Sequence, residues 1–171
     1  MSLPANIFLT GFMGSGKTTV AQLLALSINW KYVDIDSLIE TKLGKTIKEC
    51  FEQEGESFFR EIESELLMDV AQKTHQVIST GGGIVLNESN RVTMRKSGSV
   101  IWLAATPETI FSRVSNNTNR PVLGNTPSLE KITEILKYRL PFYQEADIKI
   151  VTDNKKPESI NQEIITLLSR D

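Results

Sequence analysis

The sequence predicts an α/β fold, a parallel β-sheet covered by helices on both faces. Three observations carry that expectation. Short apolar runs alternate with stretches of helical periodicity along the whole chain. The segment from Gly11 to Thr18, Gly-Phe-Met-Gly-Ser-Gly-Lys-Thr, fills every required position of the phosphate-binding pattern G-x-x-x-x-G-K-[ST]. Its flanks also suit that pattern: an apolar run, Asn6 to Thr10, precedes it, and Val20, Ala21, Leu23, Leu24 and Leu26 follow at helical spacing.

Strands are predicted over residues 7–10, 31–35, 76–80, 99–103 and 148–151. Helices are predicted over 17–28, 37–43, 47–53, 57–73, 88–96, 107–115, 129–143 and 157–169. In chain order, the first strand and helix bracket the glycine loop. The second strand ends in Asp34-Ile35-Asp36, although aspartate is disfavoured in strands. Glu54-Gly55-Glu56 breaks the helical pattern ahead of the long middle helix, and Gly81-Gly82-Gly83 follows the third strand. Residues 116–128, rich in Asn, Thr, Pro and Gly, lack periodicity; a loop of that length is often a functional lid, with Arg120 at its middle. No internal repeat or long linker interrupts the 171 residues, which suit one domain burying about 70% of its unfolded surface.

Composition excludes several classes. A net charge of −2 lacks the basic excess of nucleic-acid binders, and no apolar run nears the length of a membrane span. The start of the chain shows no signal-peptide pattern, and the single cysteine, Cys50, fits a reducing cytoplasm. With one histidine, His75, no zinc cluster of His and Cys is expected, and His75 reads as a surface residue. Any metal should be a hard cation held by oxygens.

The glycine loop predicts a nucleoside triphosphate site. Its glycines let the backbone approach phosphate, and its amides, with the positive end of the next helix, form an anion nest. Lys17 would reach the β- and γ-phosphates, and the Thr18 hydroxyl would ligate Mg²⁺. Strand alternation predicts that Asp34 and Asp36 share a face, one holding the water shell of Mg²⁺ and the other meeting an acceptor hydroxyl. The plainer reading is that Asp36 caps the next helix or that both lie in solvent. The third strand ends in Ser79-Thr80 and carries no aspartate, which shifts the metal role toward Asp34. Arg60 and Glu63 stand one helical turn apart, so Glu63 can hold the guanidinium fork toward an anion; a surface ion pair is the commoner meaning of that spacing. Arg139, on the predicted helix 129–143, is a further candidate, and Arg113 sits on the helix after the fourth strand; the plainer reading of each alone is a solvated charge.

Together these motifs resemble the shikimate kinase family over nearly the whole chain. The matching residues are 11–19, Asp34-Ile35-Asp36, Phe51 with Glu54-Gly55-Glu56, Phe59-Arg60 with Glu63, Gly81-Gly82-Gly83, Arg120-Pro121-Val122-Leu123, and Arg139 with Tyr143. The resemblance implies a three-layer α/β/α P-loop kinase fold with a five-stranded parallel sheet, nucleoside-monophosphate-kinase-like. It implies Mg²⁺-dependent transfer of phosphate from the co-substrate ATP to the 3-hydroxyl of shikimate, by a cytoplasmic monomer. It implies an acceptor-binding region at about 34–63 and a lid at about 116–128. Carried over by position, Gly14, Ser15, Gly16, Lys17, Thr18, Thr19, Arg113, Arg120 and Lys156 would bind ATP. Asp36, Arg60, Glu63, Gly81, Gly82, Gly83 and Arg139 would bind shikimate. Lys17, Asp36 and Arg120 would be catalytic, with Thr18 and Asp34 at the metal. The chain departs from the family in the lid, where Val122 replaces the usual leucine, and residues 153–157 beside adenine follow no fixed pattern.

Three rival readings remain at this stage. A gluconate-type kinase also needs the phosphate loop, but Arg60, Arg139 and the glycine strip favour shikimate. A GTP switch would carry Asn-Lys-x-Asp, whereas Asn154-Lys155-Lys156-Pro157 has proline at the last position. A non-catalytic nucleotide-binding subunit leaves the full charged set without a use.

Overall fold

A computed structural model of the chain describes residues 4–115 and 127–169. The strands are β1 (Asn6–Thr10), β2 (Lys31–Asp34), β3 (Gln76–Ser79), β4 (Ser99–Ala104) and β5 (Ile148–Val151), in the spatial order β2-β3-β1-β4-β5. All four pairings are parallel, as Leu9 opposite both Ser79 and Ile101 illustrates. Eight α-helices accompany them among the described residues: α1 (Lys17–Ser27), α2 (Ile35–Leu43), α3 (Ile47–Gln53), α4 (Gly55–Ala71), α5 (Glu88–Ser97), α6 (Pro107–Val114), α7 (Leu129–Tyr143) and α8 (Pro157–Leu168). A short 3₁₀ turn, Ile84–Leu86, follows the triple glycine.

The sheet separates two apolar layers because successive strand residues point to opposite faces. Ile7 and Leu9 of β1, with Ile101 and Leu103 of β4, pack on Val20, Ala21 and Leu24 of α1 and Ile160 and Ile164 of α8. Phe8, Val100 and Trp102 face the other way, toward Ile39, Phe59, Leu67 and Met94. A third cluster of Phe12, Met13, Ile110, Val114 and Ile132 supports the glycine loop from below. Leu26, read as part of the apolar face of α1, is instead 81% exposed, because the buried stripe runs through Val20, Ala21, Leu24 and Ala25.

Two boundaries near the site differ from the sequence reading. β2 stops at Asp34 and α2 starts at Ile35, because Asp34 turns its carboxylate onto the Ser37 amide as the helix N-cap. Asp34 and Asp36 therefore do not share a strand face. Likewise α4 begins at Gly55, two residues before the predicted start, since a positive φ of 86° there reverses the chain after α3. His75 is exposed, as expected. Among the described residues no helix is long and apolar enough to cross a membrane.

Candidate active site

β1 lies at the middle of the sheet, so its following loop emerges between the ends of β3 and β4, where ligands of open α/β sheets collect. Gly16, at φ 94°, is the N-cap of α1, and no side chain occupies the first-turn amides. Gly11 passes so close to β4 that an added Cβ would lie 2.5 Å from the Leu103 carbonyl oxygen. The Lys17 ammonium curls back over the loop, donating to the Gly11 and Phe12 carbonyls at 2.9 and 3.0 Å. Ser15 Oγ is buried with no hydrogen-bond partner among the described residues. Arg113 on α6 donates to the Gly14 carbonyl at 3.0 Å and to Thr152 at 3.5 Å, joining the loop to the segment after β5. Lys156 ends that segment as the N-cap residue of α8.

Beyond the loop opens a polar cleft of about 580 Å³, including the solvent in its mouth. The loop and Lys17, Thr18 and Thr19 form one wall, and Asp34, Asp36, Ser79, Thr80 and Gly82 form the other. Asp34 and Asp36 thus converge on the cleft through a strand-to-helix turn. The Thr18 and Tyr32 hydroxyls both donate to Asp34 Oδ2, at 3.4 and 3.0 Å, while Oδ1 accepts the Ser37 amide at 3.0 Å. Burial and the adjacent Asp34 charge push the Tyr32 phenol up to about 12.

Next to Asp36 lies a buried electrostatic cluster. Arg60 Nη1 donates to Glu63 Oε2 at 2.6 Å, while its Nε and Nη2 donate to the exposed Glu56 at 3.3 and 3.1 Å. Glu63 is fully buried, and its second oxygen has no hydrogen-bond partner among the described residues. Desolvation outweighs the pull of Arg60 and lifts the Glu63 carboxyl to about 7, with Asp36 adding to the rise. Arg139 comes from α7, nearly buried, its guanidinium carbon 5.6 Å from the Phe12 ring centre. Tyr143, one turn later, donates to the Gly82 carbonyl and stacks on Trp102, which ties α7 to the glycine strip. The strip leaves room for these charges. A Cβ on Gly81 would lie 2.5 Å from Glu63 Oε1 and 3.0 Å from Asp36 Oδ1, and one on Gly83 would lie 2.2 Å from Arg60 Nη2.

The fold therefore brings Lys17, Thr18, Asp34, Asp36, Arg60, Glu63, Arg139 and the three glycines to one end of the sheet. Arg120 and most of the predicted lid lie outside the described residues. The sequence reading passed over the contacts of Tyr32 and Glu56. Each had a positional signal: Tyr32 stands two residues before Asp34 on a strand, and Glu56 one turn before Arg60 on a helix.

Comparison with known proteins decides the family, because the shikimate kinase family model matches residues 13–169. The chain belongs to the shikimate kinase family. The shikimate kinase of Sulfurihydrogenibium sp. strain YO3AOP1 is 44% identical over 165 residues, spanning 96% of this chain and 98% of that one. Shikimate kinase from Acinetobacter baumannii, solved in complex with shikimate, superimposes with a TM-score of 0.94 at 35% identity, over 99% of this chain and 94% of that one. A gluconokinase from Sinorhizobium meliloti shares the fold alone, at 12% identity and a TM-score of 0.63 over 99% of this chain and 94% of that one. Membership of that family makes the chain a kinase, a phosphotransferase acting on an alcohol group, in the shikimate route to aromatic amino acids. Its parallel sheet of five strands agrees with the expected nucleoside-monophosphate-kinase-like fold.

Proposed function

We propose that the site described above moves the γ-phosphoryl group of ATP to the 3-hydroxyl of shikimate, giving shikimate 3-phosphate and ADP. The observation that carries this reading is the meeting of two kinds of anion site in one place. An uncapped helix start with Lys17 faces the cleft, and Arg60 and Arg139 flank the glycine strip that forms part of its far wall.

Phosphoryl transfer asks for alignment and charge neutralisation rather than covalent catalysis. The loop amides and Lys17 hold the phosphates, and Arg113 and Lys156 bound the nucleotide's base. Arg120 of the lid, assigned from sequence, adds a second cation. Arg60 and Arg139 grip the acceptor carboxylate, with Glu63 fixing the Arg60 fork and the glycines at 81–83 keeping the pocket open. For Arg60 to take the carboxylate, the exposed Glu56 gives up the Nε and Nη2 edge that it now occupies. Asp36 aligns the acceptor hydroxyl and takes its proton as the new O–P bond forms and the bond to ADP breaks. Thr18 and Asp34 offer hard oxygen donors that fit Mg²⁺, and they would hold it. When bound, the ion offsets charge on the phosphates. All of this is assigned to one domain, acting as a cytoplasmic monomer; its free cysteine, Cys50, is buried and suits a reducing compartment.

The direct test is ATP turnover with shikimate, with gluconate and with no acceptor, each in Mg²⁺ and in chelator. Rapid turnover is expected with shikimate and Mg²⁺ alone. Equal rates with both acceptors would remove the specificity from this assignment.

A further inference from the structure

We propose that Tyr32 is a positioning residue for the divalent cation, acting through Asp34. The inference rests on the assignment of Asp34 and Thr18 to Mg²⁺. Asp34 has two carboxylate oxygens with separate uses. Oδ1 is committed to the Ser37 amide and so to the start of α2. Oδ2 is the oxygen that faces Thr18, at 3.4 Å, and it carries the stronger bond from the Tyr32 phenol, at 3.0 Å. Of the two oxygens, the one nearer Thr18 is the one that Tyr32 holds, so a cation held by Thr18 and Asp34 together would draw on a carboxylate that the phenol orients.

The phenol suits that task through its place in the fold. β2 is an edge strand, and residues two apart on it share a side, so Tyr32 reaches along its own strand to Asp34. Its ring packs against the apolar layer beneath α1. Thr18 and Gln22, one turn apart on α1, lie beside the phenol. The donor thus sits between the strand that supplies the carboxylate and the helix that supplies the hydroxyl. A fixed donor on a ligating carboxylate restricts its rotation, and losing such an outer partner commonly weakens metal binding by roughly 10–100-fold.

The test uses the full-length protein and ADP, whose affinity is measured by calorimetry over a range of Mg²⁺ concentrations and in chelator. In Tyr32→Phe, the Mg²⁺ midpoint for tightening ADP binding should rise roughly tenfold. ADP affinity in chelator should stay within about twofold, since a phenylalanine keeps the packing and no nucleotide contact is removed. The KM for shikimate should likewise stay unchanged. An unmoved midpoint, or an equal loss of ADP affinity in chelator, would overturn the role. Asp34→Asn, which keeps a helix-capping oxygen, is run in parallel. A midpoint that moves in Asp34→Asn but not in Tyr32→Phe defeats only the inference about Tyr32. One that moves in neither defeats the metal assignment beneath it.

Discussion

Asp36 shows how a single side chain acquires a role from its surroundings. It stands in the first turn of α2, half-buried, facing the cleft beside the space kept by Gly81 and close to the buried Glu63. The helix start favours its negative charge, while Glu63 is held on Arg60 and so is not spent on the acceptor. Replacing Asp36 with asparagine keeps the side chain's size and leaves the Asp34 cap in place, but removes the proposed base. Turnover should fall by roughly 10²–10⁴, with acceptor affinity changed far less. Steady-state kinetics alongside equilibrium binding separates the two, and near-normal turnover would take Asp36 out of the chemistry. The identity of this residue was legible in the sequence, but its geometry was not. Alternation along a strand assumes the strand continues, and the cap made by Asp34 ended it one residue early.

At the level of elements, the glycine strip after β3 and the first turns of α4 form one unit. The Arg60 guanidinium lies where a side chain on residue 83 would have to be, so glycine there leaves the fork its place against the strip. Gly83 has φ −99°, which alanine adopts freely, so the cost of Gly83→Ala lies in the displaced guanidinium and not in the backbone. The KM for shikimate should rise roughly 10–100-fold, the range set by losing a hydrogen bond to a charged group, while the KM for ATP stays within about twofold. Loss of ATP binding in that variant would mean the strip supports the phosphate loop instead. Three consecutive glycines announced a close approach in the sequence, and Phe-Arg-x-x-Glu announced an ion pair. That these two signals describe the same contact depends on α4 packing beside the glycines after β3, which brings together Arg60 and Gly83, more than twenty residues apart along the chain.

Over the whole molecule, the buried Glu63 couples the site to stability. Its carboxyl is raised to about 7, whereas an unfolded glutamate titrates near 4.3. Between those values the folded protein binds the extra proton, so this group's contribution to stability is complete below about 4.3 and is lost as pH rises through about 7. Denaturant unfolding at pH 5, 6, 7 and 8 should show the stability difference between the wild type and Glu63→Gln shrinking, or reversing in favour of the glutamine variant, as pH rises. A difference constant over that range would place the carboxyl's titration elsewhere.

Read alone, the residues determined the α/β class, the phosphate loop, the alternation of strands and helices and the list of charged residues to watch. Those properties are local, because a periodicity, a glycine spacing and a loop motif are each complete within a few tens of residues. Only the tertiary structure decided that β1 is central, that Asp34 and Asp36 meet the phosphate loop across one cleft, and that Glu63 is buried beneath the glycines. Strand order, burial and the electrostatics that follow from them arise from packing between distant segments, and no window along the chain contains both partners.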